Sequence, residues 1–167
     1  MSEHDNLIDF DDTDSTRWYA VNDGVMGGVS QSNIRRTGEG TGVFAGVLSL
    51  ENNGGFASVR AVVGRRDLSD DAGLEIRVRG DGRTYQLRLR TDDRFDGIAY
   101  RAYFETSDGE WTTARIPFAE FVPTFRGRTL TDVPPLDTSR IHQVAFMLAD
   151  KKPGSFSLEI DFVRPWE

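Results

Sequence analysis

The segment Leu74-Glu75-Ile76-Arg77-Val78-Arg79-Gly80-Asp81-Gly82-Arg83-Thr84-Tyr85-Gln86-Leu87-Arg88-Leu89-Arg90 alternates apolar and polar residues on both sides of a glycine-rich break. A period of two belongs to an extended strand, because successive side chains leave a strand on opposite faces. Leu74, Ile76 and Val78 therefore share one face, and Glu75, Arg77 and Arg79 the other. Beyond the break, Tyr85, Leu87 and Leu89 are directed to a core and Gln86, Arg88 and Arg90 away from it. Gly80-Asp81-Gly82 suits a tight hairpin turn, since glycine tolerates positive φ.

The same alternation recurs along the chain. Strands are predicted over 42–50, 56–63, 98–106, 111–116 and 156–162, with Asp108-Gly109 turning one strand into the next. Residues 141–149 are more continuously apolar, as befits a strand buried on both faces. Helical periodicity is nearly absent. Pro117 to Phe121 suits one short helical turn, and 125–138, with Pro134-Pro135, reads as a long surface connection. About ten short strands separated by turns predict an all-β protein, a β-sandwich of the jelly-roll class. The 167 residues suit one domain, 15–167, preceded by a partly ordered tail over 1–14.

Composition excludes several chemistries. The chain has no cysteine, which removes disulfides, thiolate metal sites and cysteine nucleophiles. A net charge of −7 makes a poor general partner for nucleic acid. No run of about 18 apolar residues suggests a transmembrane helix. Residues 1–14 are acidic and lack a basic-then-apolar signal pattern, so the expected location is cytoplasmic. Lys151 and Lys152 are the only lysines, and every other basic residue is arginine, a side chain suited to planar, bidentate contacts.

Two stretches stand out for their glycines. In Asn22-Asp23-Gly24-Val25-Met26-Gly27-Gly28-Val29-Ser30, a phosphate-binding loop is excluded by the missing Gly-Lys-Ser/Thr ending. Gly38-Glu39-Gly40-Thr41-Gly42 has the wrong spacing for a dinucleotide fingerprint. Asn22 and Asp23 either close a tight turn on local backbone or face a ligand. Asn52 and Asn53, in Glu51-Asn52-Asn53-Gly54-Gly55-Phe56-Ala57-Ser58, leave the same two readings open.

These two motifs together resemble the complex I intermediate-associated protein 30 family. So do Arg83-Thr84-Tyr85-Gln86, Trp111-Thr112-Thr113 with Ile116-Pro117-Phe118, and Phe125-Arg126-Gly127-Arg128. The matches run in order from Trp18 to about Phe162. The resemblance implies a galactose-binding-like jelly roll and kinship with a mitochondrial factor that helps assemble respiratory complex I. It points to a chaperone-like binding module for a protein partner, such as subunits of a respiratory complex.

The residues themselves offer a candidate surface. If the two opening strands pair, Arg77, Arg79, Gln86, Arg88 and Arg90 form one polar patch away from the core. Four arginines together repel unless acidic groups or an anionic ligand balance them. Glu75 is nearby, and Asp92, Asp93 and Asp96 lie just beyond. Such a face is either the floor of a binding groove, which Arg126 reaches from its loop, or a solvated surface with weak ion pairs.

Other chemistries are weaker. Asp9, Asp11, Asp12 and Asp14 near the start, with Glu159 and Asp161 near the end, lack the ordered spacing of a calcium loop, and an acidic solubilising tail is the favoured reading. His4 and His142 are too few for zinc. No metal and no cofactor is expected. His142 has no Gly-X-Ser-X-Gly elbow to serve, and a glycosidase carboxylate pair cannot be told from coincidence. The alternatives to a protein-binding module are a carbohydrate-binding module, with Trp18, Trp111, Trp166, Tyr100 and Tyr103 as platforms, and an enzyme on a small polar substrate.

Overall fold

The computed structural model describes residues 6–10, 17–26, 28, 30–94 and 97–167. Its strands are β1 (Trp18–Ala20), β2 (Gln31–Arg36), β3 (Gly42–Leu48), β4 (Ala57–Arg66), β5 (Gly73–Arg79), β6 (Thr84–Arg90), β7 (Ala99–Glu105), β8 (Trp111–Pro117), β9 (Val122–Phe125), β10 (Arg128–Thr129), β11 (Ile141–Leu148) and β12 (Gly154–Trp166). They form two antiparallel sheets. One has seven strands in the order β1-β4-β11-β6-β7-β9-β10, and the other has five in the order β2-β3-β12-β5-β8. The fold is a jelly-roll β-sandwich, as the alternation predicted. The short turn after Pro117 is a single 3-10 turn over Phe118–Glu120.

The alternating residues fill the space between the sheets. Leu74, Ile76 and Val78 meet Tyr85, Leu87 and Leu89 there, together with Phe44, Phe146, Leu158, Ile160 and Val163. Burying a large apolar side chain of this kind contributes about 1.5–3 kcal/mol. The core also takes in Leu7, Ile8 and Phe10, from the stretch expected to be a tail. Leu7 and Ile8 both donate backbone hydrogen bonds to the Val163 carbonyl, and Val163 returns one to Ile8.

The pairing of the opening strands differs from the expectation. β5 lies in the five-stranded sheet between β12 and β8, whereas β6 lies in the seven-stranded sheet between β11 and β7. Gly80-Asp81-Gly82 is thus an arch between sheets and not a hairpin. The second expected hairpin, at Asp108-Gly109, is also an arch, carrying the chain from β7 back to β8. The two arches lock together. Gly109 N–H donates to the Gly80 carbonyl at 2.9 Å, and Gly82 N–H donates to the Thr106 hydroxyl at 3.1 Å. That hydroxyl donates in turn to the Arg83 carbonyl at 2.7 Å. A Cβ at Gly80 would run into the Thr106 side chain, so glycine is required for the close approach. Tyr85 Oη donates to the Asp81 carboxylate at 3.0 Å, and the same carboxylate accepts from Ser157 N–H of β12 at 2.9 Å.

Candidate functional site

The change of sheet separates the predicted patch. Arg77 and Arg79 are on the outer face of the five-stranded sheet, and Gln86, Arg88 and Arg90 are on the outer face of the seven-stranded sheet, across the sandwich. The single arginine patch expected from a hairpin therefore does not form. Strand parity was read correctly, but parity fixes only which side of its own sheet a residue takes.

On the five-stranded face, acidic residues of neighbouring strands answer the arginines. Arg77 pairs with Asp161 at 2.8 Å, and Arg79 pairs with Glu159 at 2.5 Å. Glu159 also accepts from the Thr41 hydroxyl at 2.6 Å. Burial alone would raise the Glu159 carboxyl, but the bonds from Thr41 and Arg79 outweigh it and hold the group below its ordinary value. Buried Glu75 sits between Arg115, at 2.8 Å, and Arg164, and these guanidinium groups hold its carboxyl low against the effect of burial. Trp111 lies beneath Arg77 and Arg79, with guanidinium carbons 4.3 and 5.1 Å from its ring, and Trp166 lies beneath Arg115. Glu159 and Asp161, considered above as calcium ligands, are thus turned toward arginines. Asp11, Asp12, Asp14 and Asp96 lie outside the described residues.

The glycine-rich motifs form a closed knot. Asp23 is 0% exposed. Its carboxylate accepts from Ser30 N–H at 2.8 Å, the Ser30 hydroxyl at 2.6 Å, Gly55 N–H at 2.7 Å and, more weakly, Phe56 N–H at 3.4 Å. Burial opposes ionisation of Asp23, yet these donors together hold its carboxyl below the usual range. Added Cβ atoms at Gly28 and Gly54 would both overlap the Asp23 carboxyl group. Asn22 Oδ1 accepts from the Ser32 hydroxyl at 2.7 Å and from Ser58 N–H at 3.0 Å. Asn22 and Asp23 thereby tie the β1–β2 connection to the β3–β4 connection. Asn52 is exposed in that second connection with φ 56°, and Asn53 is part of the same 3-10 turn.

The seven-stranded face is organised differently. Its register sets Tyr19, Arg60, Ala145, Arg88, Arg101 and Val122 opposite one another, in one row across β1, β4, β11, β6, β7 and β9. A flanking row runs Ser58, Met147, Gln86, Tyr103, and another runs Val62, Gln143, Arg90. Asp92, Arg94 and Gly97 bond to the last of these. Gln143 Nε2 donates to the carbonyls of Asp92 and Arg94 at 2.8 and 3.0 Å, and Arg90 Nη1 donates to the Gly97 carbonyl at 2.6 Å. Arg88 Nη1 donates to Gln86 Oε1 at 2.7 Å, and Arg101 Nη2 donates to the Thr129 hydroxyl at 3.0 Å. Among the described residues, neither Arg88 nor Arg101 has an ion pair with a carboxylate. Burial, then the charges of Arg90, Arg101 and Arg60, bring Arg88 down to about 10.

Tyr19 and Tyr103 flank the central arginines. The Arg60 guanidinium lies 5.9 Å from the Tyr19 ring and that of Arg101 lies 4.9 Å from the Tyr103 ring. The other aromatic platforms considered are spent elsewhere. Trp18 stacks on Phe10, and buried Tyr100 donates its hydroxyl to the Pro134 carbonyl. Arg126 occupies the β9–β10 turn with φ 52°, over the Phe125 ring, at the edge of this same sheet. The sequence reading missed Tyr19, Arg60 and Arg101. Arg60 was within reach of it, since Ala57, Val59 and Ala61 point inward and Arg60 must then point out.

The sequence profile of the complex I intermediate-associated protein 30 family matches residues 8–160. The chain belongs to this family. A mouse relative, the mitochondrial complex I intermediate-associated protein 30, is 30% identical over 90% of this chain and 52% of its own length. The fruit-fly protein of the same name is 28% identical over 96% of this chain and 62% of its own. The chain thus spans between half and two thirds of these relatives. Both are named mitochondrial, which overturns the cytoplasmic location expected from composition. An address resides in short targeting segments, and the charge balance of a folded domain does not report it. In structure, the chain is similar to a family 11 carbohydrate-binding module from Clostridium thermocellum in complex with a β-1,3-1,4-mixed-linked tetrasaccharide. The TM-score is 0.70 and the identity 18%, covering 98% of this chain and 95% of the module. That likeness establishes the fold.

Proposed function

We propose that this chain is a non-catalytic binding module that holds a protein partner during assembly of a respiratory complex. Family membership supports the assembly role, and the directly opposed pair Arg88 and Arg101 on β6 and β7 carries the choice of surface. Guanidinium groups projecting from adjacent strands of a rigid sheet are pre-organised for planar hydrogen bonding, which lowers the entropic cost of recognition. The tagged chain, expressed in its source cells and isolated under mild detergent, is expected to co-purify with identified subunits of complex I assembly intermediates. Mass spectrometry that finds no complex I subunit enriched over an untagged control would overturn this reading.

A second reading, carbohydrate binding, draws on Tyr19 and Tyr103 beside the arginines, since sugars pack on aromatic rings beside polar groups. Tyr103 is 56% exposed. A glycan array separates the two: hits lost on Tyr103→Ala would favour the sugar.

A further inference from the structure

We infer that the partner adds a strand to the seven-stranded sheet, laying an extended segment antiparallel along the open edge of β7 at residues 102–105. The inference rests on the binding-module reading and names the kind of segment that module takes. β7 has seven residues, but β9 pairs only with Ala99, Tyr100 and Arg101. Among the described residues, no strand pairs with 102–105 on that side. Backbone direction identifies the groups left open. In an antiparallel ladder a residue turns its N–H and C=O to one neighbouring strand, and the next residue turns both to the other. Thr106 N–H donates to the Arg83 carbonyl, on the β6 side, so Phe104 and Ala102 face β6 as well. On the other side, the Pro123 carbonyl, opposite Tyr100, accepts from Leu130, away from β7, and proline has no N–H to give. Ala99 and Arg101 are therefore the residues bonded to β9. Tyr103 and Glu105 continue their line, with N–H and C=O groups that meet no strand. Donors and acceptors so spaced are matched by another extended backbone.

This stretch lacks the devices that blunt the other edges of the molecule. β1 and β10 are only three and two residues long, β2 ends in Arg35-Arg36, and β8 carries Arg115 and ends at Pro117. Ala102-Tyr103-Phe104-Glu105 has no proline, no basic residue and no bulge. Tyr103 is also the most exposed large hydrophobic side chain among the described residues. An open backbone edge and an exposed ring on one residue are separate features that an incoming strand satisfies together. Register then sets the segment's composition. Its residues opposite buried Ala102 and Phe104 fall on the core side and are apolar, and the one opposite Tyr103 is β-branched or aromatic. The one opposite Glu105, which has no ion pair among the described residues, is basic. Read antiparallel to β7, Lys-Val-Thr-Val meets these requirements.

The test is an NMR titration of the whole chain with the capped peptide Ser-Lys-Val-Thr-Val-Ser. One control is N-methylated at Thr, whose N–H bonds the Tyr103 carbonyl in this register, and the other at the first Val, whose N–H points away. The plain and Val-methylated peptides are expected to bind, shifting the Tyr103 and Glu105 amides and slowing their exchange with solvent. The Thr-methylated peptide is expected to bind at least about tenfold more weakly. Tyr103→Pro removes the edge N–H without touching the β6 ladder and should weaken binding about tenfold, whereas Tyr103→Thr keeps it to within about threefold. Circular dichroism melts verify that each variant is folded. Absence of plain-peptide binding, equal binding of the two methylated peptides, or shifts confined to another surface would overturn the inference. So would self-association that Tyr103→Pro abolishes, which assigns the edge to a second copy. Capture of complex I subunits undiminished in Tyr103→Pro would also overturn it and leave the module reading standing. Peptide binding by a chain that captures no such subunit would overturn the module reading instead.

Discussion

The two outer faces of the sandwich carry arginines at equivalent positions of alternating strands, and they treat them in opposite ways. On the five-stranded sheet, Arg77, Arg79, Arg115 and Arg164 each meet an acidic side chain. On the seven-stranded sheet, Arg88 and Arg101 stand opposite each other and bond to neutral groups. The first arrangement is complete within the chain and serves the fold. The second costs the isolated domain stability, because Arg88 and Arg101 are brought together and partly desolvated and, among the described residues, neither is paired with a carboxylate. That asymmetry marks the seven-stranded face as the one to examine for function.

The self-contained polar groups should give the largest stability losses. Asp23→Ala strips the donors of Ser30 and Gly55 of their buried acceptor and is expected to destabilise by about 3 kcal/mol, read by urea unfolding. Acid should report the same groups. The folded carboxyls of Asp23, Glu75 and Glu159 lie below their ordinary values of 3.8, 4.5 and 4.5, so in acid the unfolded chain binds more protons. Their contribution is complete above about pH 4.5 and is lost as pH falls through the lower folded values. Asp23→Ala should flatten that loss.

Glu75→Gln removes the charge between Arg115 and Arg164 and should cost about 1–2 kcal/mol, the two arginines being partly solvated. The contrast is sharpest at Arg88. Burial and the neighbouring guanidinium groups lower its pKa, so its charge opposes folding at neutral pH. Arg88→Met should therefore stabilise the fold, by about 1 kcal/mol, while binding is lost. A clear destabilisation in thermal melts would break the comparison between the faces. The smallest effect is expected for Arg77→Gln, about 0.5 kcal/mol, since its pair with Asp161 is about a third exposed.

Much of this was legible in local sequence. Period-two alternation gave the strands and the inward set Leu74, Ile76, Val78, Tyr85, Leu87 and Leu89. The punctuation at Gly80-Asp81-Gly82 and Asp108-Gly109 gave the places where the chain reverses, and the glycine-rich motifs carried the family. The closed state of Asp23 was one of two readings left open, because a buried carboxylate needs its donors identified, and Gly55 lies 32 residues away.

By itself, then, the order of residues determined which side chains face the interior and where each strand ends, since both depend on neighbours within a few positions. Which sheet a strand joins was decided only in three dimensions. Apolar faces on consecutive strands are satisfied equally by lying side by side in one sheet or by meeting across the core, and the alternation is identical in the two cases. The β5–β6 arch, held by contacts to Thr106 and Gly109, selects the second. It thereby sends Arg77 and Arg79 to their carboxylates and leaves Arg88 beside Arg101.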